Sequence, residues 1–271
     1  MIEMREDELG DSSSRKVLIT GGASGFGIDI GRAFSAEGAA VALLDINPAA
    51  LERASLEVPG CITIQTDVTR SQDVTEAVAS ACSRLGGLDT LVLSAGVIHI
   101  KPLAQVTEAD WDLVLDVNLK GAFLTIQAAA PALRESGRGR IVAISSDVGR
   151  RGAPYLQAYT ASKFALIGLI ESIAIELAPD GVTANCVCPV GCPTTGMGQQ
   201  VLDWKTTFSG LSADEVLAAA ARQSPLGRNA TVEDVTSVVR FFTSDSSSFL
   251  TGVAIDVDGG LRLGSLPGVN V

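Results

Sequence analysis

The chain has 271 residues, and 20 Lys and Arg against 31 Asp and Glu give a formal net charge of −11 with the single His neutral. Hydrophobic residues make up 46% and charged residues 19%, so the composition predicts a folded chain with an ample core and excludes a disordered one. A net negative chain without a Lys/Arg cluster lacks the positive surface that binds phosphate backbones or anionic lipids. Nucleic acid and membranes are therefore not expected partners.

The N-terminal residues 1–15 are acidic and Ser-rich and contain no apolar signal segment. They are predicted to form a mobile leader ahead of a single domain at 16–271. The five Cys include Cys186, Cys188 and Cys192, whose spacing differs from the paired CxxC of zinc sites. The thiols are interpreted as free, which favours a cytoplasmic protein, and with one His in the chain no metal is expected.

Short β-branched segments alternate with segments of helical periodicity along the whole chain. Several strand segments are apolar on both faces, as in a parallel sheet that helices cover on both sides. This series predicts an α/β fold, a Rossmann-type doubly wound parallel sheet of about seven strands in a single domain. The predicted strands are Lys16–Thr20, Ala40–Leu44, Cys61–Gln65, Thr90–Leu93, Arg140–Ser145, Thr183–Cys188 and Val253–Val257. The predicted helices are Gly27–Glu37, Pro48–Leu56, Ser71–Leu85, Thr107–Ser136, Tyr155–Ala178, Ala213–Arg222 and Thr231–Thr243.

The segment at about 190–226 interrupts this rhythm with Gly, Pro and Thr, and contains one modest predicted helix, Ala213–Arg222. A long insertion after the carboxyl end of a strand is where a substrate loop lies in such folds. A surface excursion without a role is the alternative. Trp204 and Phe208 within it are expected either to form an apolar lid or to pin the insertion to the core.

A glycine-rich turn, Thr20 to Gly27, follows the first predicted strand directly and has the spacing GxxxGxG. Glycines let the backbone approach a pyrophosphate, and the following helix N-terminus offers free N–H groups to the anion. The turn predicts a dinucleotide site, with a merely tight strand-to-helix turn as the alternative.

Asp45 stands at the end of the second predicted strand, directly after Leu44 and eighteen residues beyond Gly27. An acid at this place accepts hydrogen bonds from adenosine ribose hydroxyls and repels a 2′-phosphate. No Arg or Lys follows in Ile46 to Pro48 to neutralise such a phosphate. The cofactor is therefore predicted to be NAD and not NADP; the alternative is that Asp45 only caps the next helix.

Ser146 follows the fifth predicted strand, and Tyr159 and Lys163 stand four residues apart on one face of the next helix. A free phenol with a pKa near ~10 is a poor base at neutral pH, and a nearby cation favours phenolate. A tyrosine tuned in this way can exchange a proton with a secondary alcohol while hydride moves. A Tyr-x-x-x-Lys pair alone also occurs on exposed helices by chance, so the prediction depends on the glycine turn, Asp45 and Ser146 being present as well.

At this point the sequence resembles the short-chain dehydrogenase/reductase family over roughly Lys16 to Gly260. Seven motifs stand in the family's order. They are the glycine turn from Thr20, Asp67-Val68, Ser94-Ala95-Gly96, Asn118, Ser146 three before Gly149, Tyr159 with Lys163, and Asn185-x-x-x-Pro189. Two positions depart from the family pattern. Ser94 stands where the family has Asn, and Gly191 is shifted by one residue after Pro189. Counted from Pro189, Thr194 holds the place of the threonine that binds the carboxamide, and Thr195 is the alternative because of the shifted glycine.

The resemblance implies roles residue by residue. Ser146 would bind the substrate oxygen, Tyr159 would be the general acid/base, Lys163 would hold the nicotinamide ribose, and Asn118 would anchor a proton-relay water. Asp67 would bind the adenine amino group. The residues expected to contact NAD, in addition to Tyr159 and Lys163, are Gly21, Ser24, Gly25, Phe26, Gly27, Asp45, Ile46, Asp67, Val68, Ser94, Ala95, Gly96, Pro189, Gly191, Cys192 and Thr194.

The sequence thus predicts an NAD-dependent oxidoreductase that interconverts a secondary alcohol, such as a sugar or polyol hydroxyl, and its carbonyl. His99, Asp147 and Tyr155 are the candidate substrate contacts; solvated loop residues are the alternative. The unusually apolar stretch Phe164 to Ala178 favours a homotetramer or dimer. The alternatives are an NADPH-type ketone reductase of biosynthesis and a non-catalytic NAD(H)-sensing protein.

Overall fold

The computed structural model describes residues 15–264, in which seven strands form one sheet. The strands are β1 Lys16–Thr20, β2 Ala40–Asp45, β3 Ile62–Gln65, β4 Thr90–Leu93, β5 Arg140–Ile144, β6 Thr183–Pro189 and β7 Ala254–Val257. The helices are α1 Gly25–Ala36, α2 Pro48–Glu57, α3 Ser71–Leu85, α4 Glu108–Leu115, α5 Gly121–Glu135, α6 Gln157–Leu177, α7 Gly196–Ser209, α8 Ala213–Gln223 and α9 Val232–Thr243.

The sheet has the order β3-β2-β1-β4-β5-β6-β7, and every neighbouring pair is parallel. Strand order reverses beside β1, because β2 lies on one side of β1 and β4 on the other. Ligands of doubly wound sheets bind at the carboxyl ends of the strands around such a reversal. The predicted fold class is confirmed.

The core consists of two layers, one on each face of the sheet. Along β1, Leu18 faces one layer, while Val17 and Ile19 face the other. The three side chains are fully buried, because alternate residues of a strand point to opposite faces and helices cover both. This burial explains why the strand sequences are apolar on both faces.

The predicted helix Thr107–Ser136 is interrupted by a π-helical turn, Asp116–Lys120, between α4 and α5. Thr107 caps its start, since the Thr107 side chain accepts from the backbone N–H of Asp110 and the Asp110 side chain accepts from that of Thr107. Single π turns within helices are frequent at functional sites. This one contains Asn118, a predicted site residue.

Two other helix predictions need correction. The insertion contains a second helix, α7, which the sequence analysis missed, and Thr195 caps its N-terminus. Helix α6 begins at Gln157 and not at the predicted Tyr155, because Tyr155 has a φ of 66°, in the left-handed region that a helix excludes. The predicted bounds of β1, β4 and α3 agree with the structure, and the other strand and helix boundaries differ from the predictions by at most two residues.

Arg15 belongs to the folded part of the chain, although it was predicted to end the mobile leader. Its side chain is buried, donates to Asp245 at 3.1 Å and lies 4.0 Å from Asp89. The rest of the predicted leader, residues 1–14, lies outside the described residues.

The helical segment Glu108–Glu135, which comprises α4, the π turn and α5, is long and apolar enough to cross a membrane by length and composition only. Within residues 15–264 it is the one helix that meets this criterion. The buried share of its most apolar window is 39%. Its α5 part packs against α3, and the core helix of a folded domain passes the same test. Some apolar side chains, such as Phe123, remain exposed.

Candidate active site

A cavity of about 1160 Å³ opens at the carboxyl ends of the strands, and residues that follow β1, β2, β4, β5 and β6 line it. This volume exceeds that of ordinary small-molecule pockets, which reach about 1,000 Å³. It can hold a dinucleotide together with a substrate. Within residues 15–264, no group of three or more His, Cys, Asp or Glu side chains is arranged to hold a metal ion.

The glycine turn between β1 and α1 packs too closely for side chains. A Cβ at Gly21, which has a φ of 62°, would lie 2.7 Å from Ala95 Cα, and one at Gly27 would lie 2.1 Å from the Gly21 carbonyl oxygen. Gly21 and Gly25 line the cavity, whereas Gly27 does not. Gly27 therefore serves the close packing of the turn, which keeps the cavity floor open for a phosphate group.

Asp45 lies at the rim of the cavity and is held by backbone donors. Its carboxylate accepts hydrogen bonds from the N–H of Ala23 at 3.2 Å and from the N–H of Asn47 at 3.0 Å. The cap of α2 is instead the Asn47 side chain, which accepts from Ala50 N–H. The alternative role for Asp45, as the cap of α2, is thus filled by its neighbour.

Tyr159 and Lys163 lie one turn apart on α6 and are buried at the cavity floor. The Lys163 Nζ is 5.5 Å from the centre of the Tyr159 ring and donates to the carbonyl oxygen of Ile144, at the end of β5, at 2.8 Å. This bond fixes the ammonium beneath the carboxyl end of the sheet. A cofactor ribose bound there would lie within reach of the ammonium.

Burial dominates the protonation of both groups. It raises the pKa of Tyr159 to about 12, against a hydrogen bond from Ser146 that lowers it and with the charge of Asp147, which raises it further. Burial lowers the pKa of Lys163 to about 8, although the thiols of Cys186 and Cys188 act in the opposite direction. Desolvation disfavours the charged form of each side chain, so a positive partner must come close to the phenol to favour phenolate.

The π turn between α4 and α5 presents Asn118 to the loop after β4. The Asn118 Oδ1 accepts from Val97 N–H at 2.8 Å, and its Nδ2 donates to the Val97 carbonyl oxygen and to Ser162 Oγ, at 3.0 and 3.1 Å. Asn118 itself does not line the cavity. A Cβ at Gly96 would lie 3.5 Å from Asn118 Oδ1 and 3.7 Å from Lys163 Nζ, so the glycine keeps this corner open.

Ser146 and Asp147 follow β5 and both line the cavity. Ser146 Oγ donates to Asp147 Oδ1 at 3.1 Å and accepts from Val148 N–H at 3.3 Å. The other Asp147 oxygen accepts from Arg151 Nη2 at 2.8 Å. This end of the cavity therefore contains a hydroxyl that is hydrogen-bonded to a buried carboxylate.

The two candidate threonines after β6 occupy different places. Thr195 is buried, lines the cavity and lies opposite the glycine turn, since a Cβ at Gly25 would be 3.8 Å from Thr195 Cβ. Thr194 is exposed and lies outside the lining, although its hydroxyl is 3.3 Å from Cys192 Sγ. The geometry thus favours Thr195 over Thr194 as a cofactor contact.

Of the candidate substrate contacts, Asp147 lines the cavity, and His99 and Tyr155 do not. His99 Nε2 lies 3.7 Å from Asp110 Oδ1, beyond hydrogen-bond distance. The Tyr155 ring packs on Trp204 and Phe208, with centroid distances of 5.3 and 5.8 Å. Trp204 lines the cavity, so Tyr155 supports the cavity wall by packing against Trp204 and does not itself contact the cavity.

Most of the predicted cofactor residues do line the cavity: Gly21, Ser24, Gly25, Phe26, Asp45, Ile46, Asp67, Val68, Ser94, Ala95, Gly96, Tyr159, Lys163, Pro189, Gly191 and Cys192. Part of the apolar wall of this cavity was not predicted from the sequence. Met197, in the first turn of α7, packs with Val148 and Tyr159, and Leu156 belongs to the same cluster. A helix prediction over α7 would have placed Met197 there.

A family model described as enoyl-(acyl carrier protein) reductase matches residues 21–262. The chain is 38% identical to 2-(S)-hydroxypropyl-CoM dehydrogenase 3 of Xanthobacter autotrophicus over 90% of this chain and 95% of that protein. It is 35% identical to L-2,3-butanediol dehydrogenase of Corynebacterium glutamicum over 92% of this chain and 98% of that protein. A crystal structure of an actinorhodin polyketide ketoreductase variant with NADPH superposes with a TM-score of 0.87 at 29% identity, covering 93% of this chain and 98% of that one.

Fold, site and relatives agree on an oxidoreductase that acts on CH–OH groups with a nicotinamide cofactor. The chain belongs to the short-chain dehydrogenase/reductase family. The family expected from the motifs is thereby confirmed.

Proposed function

We propose that this chain is an NAD-dependent oxidoreductase that interconverts a secondary alcohol, possible examples being sugar and polyol hydroxyls, and its carbonyl compound. The chief support is the convergence of Ser146, Tyr159 and Lys163 at one end of a cavity that extends to Asp45. A binding module has no use for a buried tyrosine beside a lysine. The NAD(H)-sensing alternative is therefore the weaker one.

In the proposed reaction, the Ser146 hydroxyl hydrogen-bonds to the alcohol oxygen and the Tyr159 oxygen takes its proton. A nicotinamide cofactor bound in this cavity would supply the hydride acceptor for the carbon that carries this oxygen. Lys163, held by Ile144, electrostatically stabilises the Tyr159 phenolate that accepts the alcohol proton, and binds the ribose. Asn118, held by the Val97 backbone, keeps the corner near Lys163 ordered so that a proton can pass to solvent.

The preference for NAD rests on Asp45. Its carboxylate stands at the cavity rim, and no Lys or Arg occurs in residues 46–50 to neutralise a 2′-phosphate. The neighbouring Ile46 is exposed and apolar. The alternative is an NADPH-type ketone reductase of biosynthesis. The ketoreductase structure of similar fold contains NADPH.

The test follows nicotinamide absorbance while the purified protein receives NAD or NADP with 2,3-butanediol, sorbitol, 2-butanol and a hydroxysteroid. We expect turnover with NAD, and a loss of at least about 100-fold in kcat in Tyr159→Phe, because the general acid/base is removed. NADH binding by the variant checks that its site persists. Equal or better use of NADP, or full activity of Tyr159→Phe, contradicts the proposal.

The same proposal includes a homotetramer, with a dimer as the alternative, and a cytoplasmic location. Helices α5 and α6 contact each other and expose Phe123, Phe164 and Ile175, and large exposed apolar patches mark association sites. We propose that a second copy of this chain covers these exposed side chains.

The cytoplasmic location is supported by the thiols. The five Cys are free, as expected for a reducing compartment.

A further inference from the structure

The carboxylate of Asp147 is a buried charge that the proposed reaction does not use. It is 8% exposed and lies directly after Ser146, to which one of its oxygens is hydrogen-bonded. Taking a carboxylate out of water is costly unless it is paired. Its partner is Arg151, half exposed at the cavity wall, which donates to the second oxygen.

The pair lies beside the two hydroxyls of the site. Ser146 donates to Asp147, so the carboxylate competes with Tyr159 and with a substrate oxygen for the Ser146 proton. Tyr159 lines the same cavity as Asp147 and packs against Val148, the next residue, and the negative charge of Asp147 raises the pKa of Tyr159. In a buried site the effective dielectric constant is low, so one charge strongly biases the ionisation of a neighbour.

We propose that Asp147 and Arg151 are positioning residues for the reaction: Asp147 orients the Ser146 hydroxyl and opposes loss of the Tyr159 proton, and Arg151 limits that opposition. The inference deepens the proposed function, because it assumes Tyr159 as the general acid/base. The inference predicts that removal of the Asp147 charge and removal of the Arg151 charge change the ionisation of Tyr159 in opposite directions.

Besides Asp147, the titratable groups near Tyr159 are Lys163 and the two thiols that lie close to Lys163. On α6 itself, the Lys163 ammonium lies 5.5 Å from the Tyr159 ring centre. Strand β6 contributes Cys186 and Cys188, and burial raises the pKa of both thiols, so they stay neutral at working pH. Helix α4 contributes the apolar Val114. Asp147 is therefore the negative charge that acts on the phenol from the segment after β5.

The direction of each effect follows from this arrangement. The negative charge of Asp147 raises the pKa of Tyr159, so its removal in Asp147→Asn favours phenolate at lower pH. Asparagine keeps an oxygen to accept the Ser146 proton. Removal of the Arg151 charge in Arg151→Gln leaves Asp147 unscreened and disfavours phenolate.

The first experiment measures the pH dependence of kcat/KM for oxidation of 2,3-butanediol and 2-butanol with NAD. We expect the rising limb to move to lower pH by about 1 unit in Asp147→Asn and to higher pH in Arg151→Gln. Arg53→Gln, the same substitution at an exposed position on α2, serves as the matched control and leaves the profile unchanged. Coincident profiles, or shifts of both variants in one direction, overturn the inference.

A second experiment does not depend on turnover. The chain contains only two tyrosines, Tyr155 and Tyr159, so in a Tyr155→Phe background the ultraviolet phenolate signal reports Tyr159 alone. We expect phenolate to form at lower pH when Asp147→Asn is added and at higher pH when Arg151→Gln is added. Unchanged titrations refute the charge pair even if the wild type oxidises alcohols. Shifted titrations without turnover of any alcohol by the wild type keep the pair and reject the proposed function.

Discussion

At the scale of single residues, Asp45 offers the sharpest test of cofactor choice. Its carboxylate is fixed by the Ala23 and Asn47 N–H groups, so it cannot turn away from a 2′-phosphate without losing both bonds. We expect Asp45→Ser to lower the NAD-to-NADP ratio of kcat/KM by about tenfold or more, equivalent to ~1.4 kcal/mol. Steady-state kinetics with both cofactors measure the ratio.

The control for Asp45 is Glu52→Gln, which removes an exposed carboxylate from neighbouring α2. It should leave the ratio unchanged. A ratio that stays constant in Asp45→Ser means that the charge does not select the cofactor.

Residue spacing predicted part of the site well. The four-residue interval of Tyr159 and Lys163 places them one turn apart, because an α-helix has 3.6 residues per turn. The choice between Thr194 and Thr195 could not be predicted, since it depends on the path of the loop after β6. The hydrogen bond from Ser146 to Asp147 could not be predicted either, because the spacing of two adjacent residues does not determine whether their side chains contact each other.

At the scale of elements, the strands were predictable and helix α7 was not. Strands of a buried parallel sheet are apolar on both faces, so their composition identifies them. Helix α7 begins with Gly196 and Gly198, and glycine lowers helix propensity by roughly 1 kcal/mol per residue. Its formation depends on the Thr195 cap and on packing of Met197 and Leu202, which are tertiary contacts.

The contact between α7 and the loop before α6 is made by three aromatic rings. Trp204 stacks on Phe208 with a centroid distance of 5.1 Å, and both pack on Tyr155. Trp204 lines the cavity, whereas Phe208 is mostly exposed and does not. The cluster therefore joins the insertion to the segment that leads into α6, which carries Tyr159, the proposed general acid/base.

We expect Trp204→Ala to raise KM for the best alcohol by about tenfold while kcat changes less, because the cavity wall is lost and the reacting groups stay. Phe208→Ala is the matched control. It removes a similar aromatic contact, about 1 kcal/mol of stability, outside the cavity and should leave KM near the wild-type value. Equal KM values for the two variants contradict a substrate-wall role for Trp204.

At the scale of the whole molecule, association is expected to use the exposed faces of α5 and α6. Phe164 and Ile175 lie eleven residues, three turns, apart on α6, so they share one face. Ile175→Glu should lower the mass measured by light scattering from tetramer towards dimer or monomer, since a charge cannot be buried in an apolar contact. Leu56→Glu on α2, a similarly exposed leucine, is the control. An unchanged mass in Ile175→Glu rejects this face.

The strand order also affects how the chain is made. Strand β1 is synthesised first but lies inside the finished sheet, with β2 on one side and β4 on the other. A nascent chain that has left the ribosome only as far as β3 has one side of β1 uncovered, and unpaired apolar edges promote aggregation. The open edge closes only when Thr90–Leu93 emerges and pairs with it. Each growing chain therefore passes through an interval in which a strand of the sheet interior has an exposed edge.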